Sequence, residues 1–411
     1  MTIRNHPQRR QVVSEMHLRR IPPLHAPGTL WQIVRTVEPE ERQTEAKHLA
    51  RAGAQAAGQD PRQIIWERDG VQFAWERHTE GTTATIFVCD SVDPAKSAEA
   101  LAWLEALPGL AMRATRVRIV DSEPAATALI MEAGFARAMT VCCRIGSATI
   151  WSDFNLPDDQ DYGRMVVWAN CTDPHELART MQQVQELGNY RNMALLGLPL
   201  TQEKGFKLRD IENALTDLGG HICDASSDRH ALDQLVELAA QASALRADTE
   251  YRLSATAAYG QIVAERLASL NAEPVEEYIP LAAFTERRLL PALRTCTSFR
   301  QRLERVTHGI ENAVSMVRTR VDLVMQDQNA EVLSSMERSA TRQVKLQHLV
   351  EEISVVALTY YAIGLLEKAL AGTRISEIVG WPPEAIAAMA IIPALVFLVL
   401  LRKWRTEHAL K

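Results

Sequence analysis

The residues with the best credentials for chemistry lie in one short run, QFAWERHTEGTT, residues 72–83. Read as a strand, it sends Glu76, His78 and Glu80 to one face and Trp75, Arg77 and Thr79 to the other. Two carboxylates flanking an imidazole can exchange a proton or offer ligands to a metal. The same run also reads as a polar sheet face approaching a turn at Gly81. No neighbouring Cys or second His completes a metal set. A second polar run, His221-Ile222-Cys223-Asp224, follows a helix end and reads as a loop. The chain has no G-x-x-x-x-G-K-[ST], G-x-G-x-x-G, G-x-S-x-G or H-E-x-x-H. Phosphate-loop, dinucleotide, nucleophile-elbow and zincin chemistry therefore have no motif to stand on. The expectation is a protein that is not an enzyme, with no cofactor and no bound metal.

Composition bounds the rest. The chain has 411 residues, a net charge of −6 and 23% charged residues, which suits a globular protein with more than one core. No basic run is interleaved with aromatics, so nucleic acid is not an expected partner. Six scattered cysteines without a C-x-x-C pair suggest reduced, buried thiols in a cytosolic compartment. The N-terminal MTIRNHPQRRQVVSEMHLRR lacks an apolar core, and no secretory signal is expected there.

The elements that must position these residues follow from periodicity. Residues 1–30, with four prolines, read as an irregular arm, and 31–58 as a helix. Residues 64–68, 71–78 and 82–89 alternate as strands, with Asp69-Gly70 matching a type I′ hairpin. Further strands fall at 116–121, 139–145, 148–156 and 164–169, with helices at 94–107 and 124–133 between them. Strands mixed with short helices define an α/β domain over 31–171. Asp173-Pro174-His175-Glu176 opens a helical region, 172–280, with the pattern of a capping box. From about residue 281 a single helix runs on. Its apolar positions Val306, Ile310, Ala313, Val317 and Val321 form a coiled-coil-like seam. The 71 residues from Gln301 to Ala371 would span about 105 Å at about 1.5 Å per residue. A helix of that length belongs to a stalk, a coiled coil or a membrane protein, so residues 281–352 read as a stalk.

The end of the chain is apolar. Residues 385–401, AIAAMAIIPALVFLVLL, carry no charge and are flanked by Trp381 and by RKWR at 402–405. They read as a membrane span. Residues 353–371 then read as a first span, with Glu367-Lys368 at its far end reaching the headgroups. Basic residues cluster before the first span (Arg338, Arg342, Lys345) and after the second (Arg402, Lys403, Arg405). By the positive-inside rule both termini lie in the cytoplasm, with 402–411 as a basic cytoplasmic tail. The expected fold class is α+β: an N-terminal α/β cytoplasmic domain, a helical region with a very long stalk helix, and a two-helix transmembrane hairpin over 353–401.

The stretches NHPQRRQVVSEMHLRR, WERHTE, SDFNL, YRNMALLGLP, FTERRLLPALRTC, VRTRVDLVMQDQN, VLSSMER and ISVVALTYYAIGL are spread over most of the chain. On them the protein resembles a bacterial family of membrane-anchored proteins, domain of unknown function 3422. Gly81 stands after WERHTE where that pattern expects an aromatic. In its plan, the chain also looks like the CorA-type two-span cation transporters. That resemblance implies a homopentameric channel for divalent cations with the first span lining the pore. The Gly-Met-Asn signature of those transporters is replaced here by Gly364-Leu365-Leu366 and then Glu367-Lys368.

Two functions follow as expectations. In the first, an inner-membrane homo-oligomer passes a cation, divalent on the CorA plan, along Glu351, Ser354, Leu358, Tyr361 and Leu365 on one helical stripe. In the second, the hairpin only anchors the chain in the bilayer, and the cytoplasmic domain acts as a scaffold for a partner.

Overall fold

The computed structural model describes residues 4–9, 22–54, 62–156, 161–221, 228–371 and 380–382, with single positions between 385 and 400. Most of the connection between the two expected spans, 372–384, and the basic tail at 402–411 lie outside these residues. Within the second expected span, Ala385, Ala388, Met389, Ile391, Pro393, Val396 and Leu400 are described, and they are helical. The chain divides into two units, Met1–Val314 and Ser315–Lys411.

The first unit is built on one mixed sheet of nine strands, in the order β2-β3-β4-β1-β5-β8-β7-β6-β9. Its strands are β1 (Gly28–Thr36), β2 (Gln63–Arg68), β3 (Val71–Arg77), β4 (Gly81–Cys89), β5 (Leu110–Val120), β6 (Val141–Ile145), β7 (Ala148–Ser152), β8 (Gly163–Trp168) and β9 (Glu273–Pro274). Neighbours are antiparallel except β5 and β8, which run parallel. The hairpin expected at Asp69-Gly70 is present, with both residues at positive φ, 55° and 79°, as a type I′ turn demands.

One expectation fails here. Residues 31–58 do not form one helix: β1 occupies Gly28–Thr36, and a short helix, α1 (Arg42–Arg51), follows. β1 lies between β4 and β5 and is buried along nearly its whole length. A strand covered on both faces needs no polar alternation, so the period-two signal that marks a strand is missing from GTLWQIVRT.

The two faces of the sheet differ. Toward α1 and α2 (Pro94–Glu105), the strands β1, β3 and β4 present Trp31, Ile33, Phe73, Trp75, Ala84 and Ile86. Leu104 of α2 is fully buried against them. α3 (Glu123–Glu132) covers a smaller core around Val120, Cys142, Trp151 and Val166. On the opposite face lie α4 (Pro174–Leu195), α5 (Gly197–His221) and α6 (Asp228–Ser269). Leu177, Met181, Val184 and Leu187 of α4 pack on Val117, Ile119, Met165 and Val167. The start of α4 is fixed as expected: Asp173 accepts from the backbone N–H groups of His175 and Glu176, and Pro174 occupies the first turn.

The last helix, α7, runs from Leu281 to Ala371. In its first part the coiled-coil-like seam is covered by this chain itself. Val306 and Ile310 are buried, and Gly309 lets the Leu215 side chain of α5 approach so closely that a Cβ would sit 2.9 Å from it. Arg302 Nε donates to Glu212 Oε1 of α5 at 2.9 Å. Met325, Val332, Met336, Leu346, Val350 and Ile353 are all exposed.

Candidate functional site

Between the sheet and the α4–α6 layer lies a cavity of about 540 Å³, within the size range of small-molecule sites. Register fixes its floor. On β4, Thr83 stands opposite Glu76 of β3 and Val34 of β1, while Thr85 stands opposite Ala74 and Gln32. Pleating sends all of them to one face. The roof comes from Met181, Gln185, Asn189 and Tyr190 of α4 and from Tyr259 of α6. Tyr190 and Tyr259 stack with ring centroids 5.9 Å apart.

A hydrogen-bond chain crosses from sheet to helix. Arg113 Nη1 of β5 donates to Asn189 Oδ1 at 2.7 Å and to Gln185 Oε1 at 2.6 Å. Asn189 Nδ2 donates to Gln32 Oε1 at 3.0 Å, and Gln32 Nε2 donates to Thr85 Oγ1 at 3.0 Å. Thr115 Oγ1 also donates to Gln185 Oε1, at 3.1 Å. Arg113 is buried beneath Gly188, where a Cβ would lie 2.7 Å from its guanidinium carbon. Burial, and then the charge of Arg191, pull the Arg113 guanidinium down to about 9. Arg191 is also lowered by burial, and its guanidinium lies over the Phe154 ring at 4.4 Å.

The structure splits the expected Glu76, His78 and Glu80 cluster. β3 ends at Arg77, so His78 and Glu80 belong to the turn and no longer obey strand alternation. Glu76 and His78 remain neighbours at 3.8 Å (Oε1 to Nδ1), and His78 Nε2 lies 2.7 Å from Thr83 Oγ1. Glu80 turns elsewhere and accepts from Arg252 Nη1 of α6 at 2.8 Å. Among the described residues no group of three or more His, Cys, Asp or Glu side chains is arranged to hold a metal. In the run His221–Asp224, the positions after His221 lie outside the described residues. Gly81, the departure from the family pattern, sits where a Cβ would meet the Arg35 carbonyl oxygen at 1.9 Å. No aromatic fits there.

Glu76 and His78, singled out from the sequence, line this cavity, whereas its other polar residues, among them Gln32, Thr85, Gln185 and Asn189, were not singled out. A signal for those on α4 exists: Gln182, Gln185, Glu186 and Asn189 recur at spacings of three, one and three. They form a polar stripe on a helix whose other inward positions are apolar.

In the second unit, Glu351, Ser354, Leu358, Tyr361 and Leu365 are all exposed, on one stripe of α7. Ser354 Oγ donates to the Val350 carbonyl one turn back, at 2.7 Å. α7 contains an 18-residue stretch long and apolar enough to cross a membrane, and none of that stretch is buried.

These features define a mixed α+β protein with a large N-terminal sheet domain, a cavity under its helical layer, and a long C-terminal helix. Residues 4–409 match the profile of the family described as Protein of unknown function (DUF3422), and the chain belongs to that family. Comparison with curated proteins gives no match.

Proposed function

We propose that this protein is an integral protein of the bacterial inner membrane that tethers its N-terminal unit in the cytoplasm. The observation carrying this reading is the exposed apolar surface of α7, where Ile353, Val356, Leu358, Tyr360, Tyr361 and Leu365 are all more than half exposed. In water such a surface is unstable, and in hydrocarbon it is satisfied, because the helix bonds its own backbone. The charge-free run 385–401 supports a returning span, and the basic residues outside both spans support a cytoplasmic location for the two termini. Full-length protein should stay in the membrane pellet after an alkaline carbonate wash, and a C-terminal tag should be protected in intact spheroplasts. Release by the wash, or an accessible tag, would sink the reading.

Self-association belongs to the same reading. Met325, Val332, Leu346 and Ile353 occupy one heptad position, and Met336 and Val350 the position four further on. Asn329, Ser339 and Gln343 fill the remaining places and would fix register between copies. Leu346→Lys should lower the mass of the detergent-solubilised complex measured by light scattering. An unchanged mass would remove the seam from the argument.

Passage of a cation on the CorA plan is a second reading, supported by the exposed stripe from Glu351 to Leu365. In liposomes it requires flux of a divalent or monovalent cation that Glu351→Ala or Ser354→Leu alters. Absence of flux for every common cation would end it.

A further inference from the structure

A second cavity, of about 640 Å³, lies where β5 and β8 begin and β7 ends. Its charged lining is mostly basic: Arg35, Arg113, Arg164 and Arg191 against Glu105 and Asp161. Several of these charges are used within the chain. Arg35 Nη2 donates to the Leu104 carbonyl at 2.7 Å, and Arg164 Nη2 to Asp153 Oδ2 at 2.9 Å. Glu105 Oε1 accepts from the Tyr162 hydroxyl at 3.0 Å, and both Glu105 and Asp161 are exposed.

Arg191 and Arg113 differ from the rest. They are only 9% and 8% exposed. Arg113 gives Nη1 to Gln185 and Asn189, and its Nε and Nη2 meet no acceptor among the described residues. The Arg191 guanidinium meets none with any of its nitrogens. Burial lowers both groups, the charge of Arg191 lowers Arg113 further, and no described carboxylate opposes either effect. Two cations withdrawn from water without a counter-charge are costly. Gln185 Nε2 and Arg164 Nε are sealed from water, whereas the unpartnered nitrogens of these two arginines are not.

Aromatic rings hold Arg191 in place. Its guanidinium lies 4.4 Å over Phe154 and 5.6 Å over Phe284, and these rings stack on each other at 4.7 Å. Phe154 keeps a φ of 48°, rare for a bulky residue, and its N–H donates to Ser152 Oγ at 3.2 Å. A ring engages the face of a guanidinium and takes none of its N–H groups. The donor edge is left for an oxyanion that can accept two N–H groups at once. Two uncompensated cations match a phosphate group, which carries close to two charges near neutrality, better than one carboxylate.

We propose that this cavity binds a phosphate group, free or carried on a small polar molecule, whose oxygens accept from the donor edge of Arg191 in the field of Arg113. In sequence, Asp158 and Asp159 stand between Leu156 and Asp161 of the lining, so carboxylates of the chain itself are the competing occupant.

The test uses the full-length protein in detergent at about pH 8. Its melting temperature is followed with millimolar sodium phosphate, glycerol 3-phosphate, glycerol, and sodium acetate or chloride at matched ionic strength. The expected result is a rise with the two phosphates alone. A tighter response to glycerol 3-phosphate assigns the site to a carried phosphate, and an equal one to the free anion. Arg191→Met keeps length and contact with the rings. It should fold, melt at or above the wild-type temperature without phosphate, and lose the response. Arg191→Lys, which keeps the charge and loses the two-pronged edge, should weaken binding about tenfold. The proposal is overturned if neither phosphate raises the melting temperature, if acetate acts equally, or if Arg191→Met responds as wild type does, which would mean exclusion from the surface. It is also overturned if phosphate binds only once Asp158 and Asp159 are both replaced by Asn.

Discussion

Glu80 Oε2 and Arg252 Nη1 meet at 2.8 Å, and this contact ties the turn after β3 to the middle of α6. The Glu80 carboxylate raises the Tyr251 hydroxyl above its ordinary value and, after burial, raises that of Tyr259 as well. The Glu80 side chain is 5% exposed, so it cannot find water in place of these partners. Removing one member of a buried, hydrogen-bonded pair leaves the other charge stranded. Glu80→Ala should cost about 2–4 kcal/mol in chemical denaturation. Arg252→Ala should cost less, because Arg252 is more exposed, and the double variant should cost less than the two single variants added together. Strict additivity would mean that the contact carries no coupling.

Gly188 and Gly205 both sit inside helices and should respond to alanine in opposite directions. Helix propensity favours Ala over Gly by about 1 kcal/mol. At Gly205 a new Cβ meets nothing within 4 Å, so Gly205→Ala should raise the melting temperature. At Gly188 the Cβ would collide with the guanidinium of Arg113, which is held by Gln185 and Asn189. Gly188→Ala should lower the melting temperature despite the gain in propensity. A rise at both positions would show that Arg113 is free to move.

The cysteines should separate by reactivity. Burial pushes the thiols of Cys142 and Cys143 up to about 12 and also raises those of Cys296 and Cys89. Cys171 is exposed. Iodoacetamide at about pH 8, where only thiolates react, should modify Cys171 well before Cys142 or Cys143. Peptide mass spectrometry reads this directly. Rapid labelling of Cys142 in the folded protein would contradict the packing of β6.

Glu212 makes a pH-dependent contribution. The hydrogen bond from Arg302 holds its carboxyl below the ordinary value of 4.5. A group whose native value is depressed stabilises the fold above its unfolded value, and that contribution disappears as pH falls through the native value. Glu212→Gln should therefore cost up to about 1 kcal/mol near neutrality, as for a partly exposed pair. The gap to wild type should close as pH drops below about 4.5. A constant gap across the acid range would assign the effect to shape and not to charge.

Local chemistry was enough to place much of this molecule. Asp69-Gly70 admits the positive φ of its turn, Asp173-Pro174 caps its helix, and the strands on either side of that hairpin alternate, so each could be placed from neighbouring residues alone. The apolar character of residues 353–371 is likewise a property of composition, and burial by other parts of the chain does not mask it. What the sequence could not place depends on partners far along the chain. β1 looks like a helix until β4 and β5 cover its edges, because burial on both faces erases the alternation that marks a strand. The seam around Val306 and Ile310 looks free until Leu215 of α5 closes on Gly309. Glu80 joins Glu76 and His78 on paper, yet a salt bridge spanning 172 residues draws it to Arg252. The cavity joins residues from four strands and two helices, including Gln32, Thr85 and Gln185, which share no local pattern. Side-chain periodicity records only what one element does by itself, whereas a cavity and its hydrogen-bond chain exist only where several elements meet.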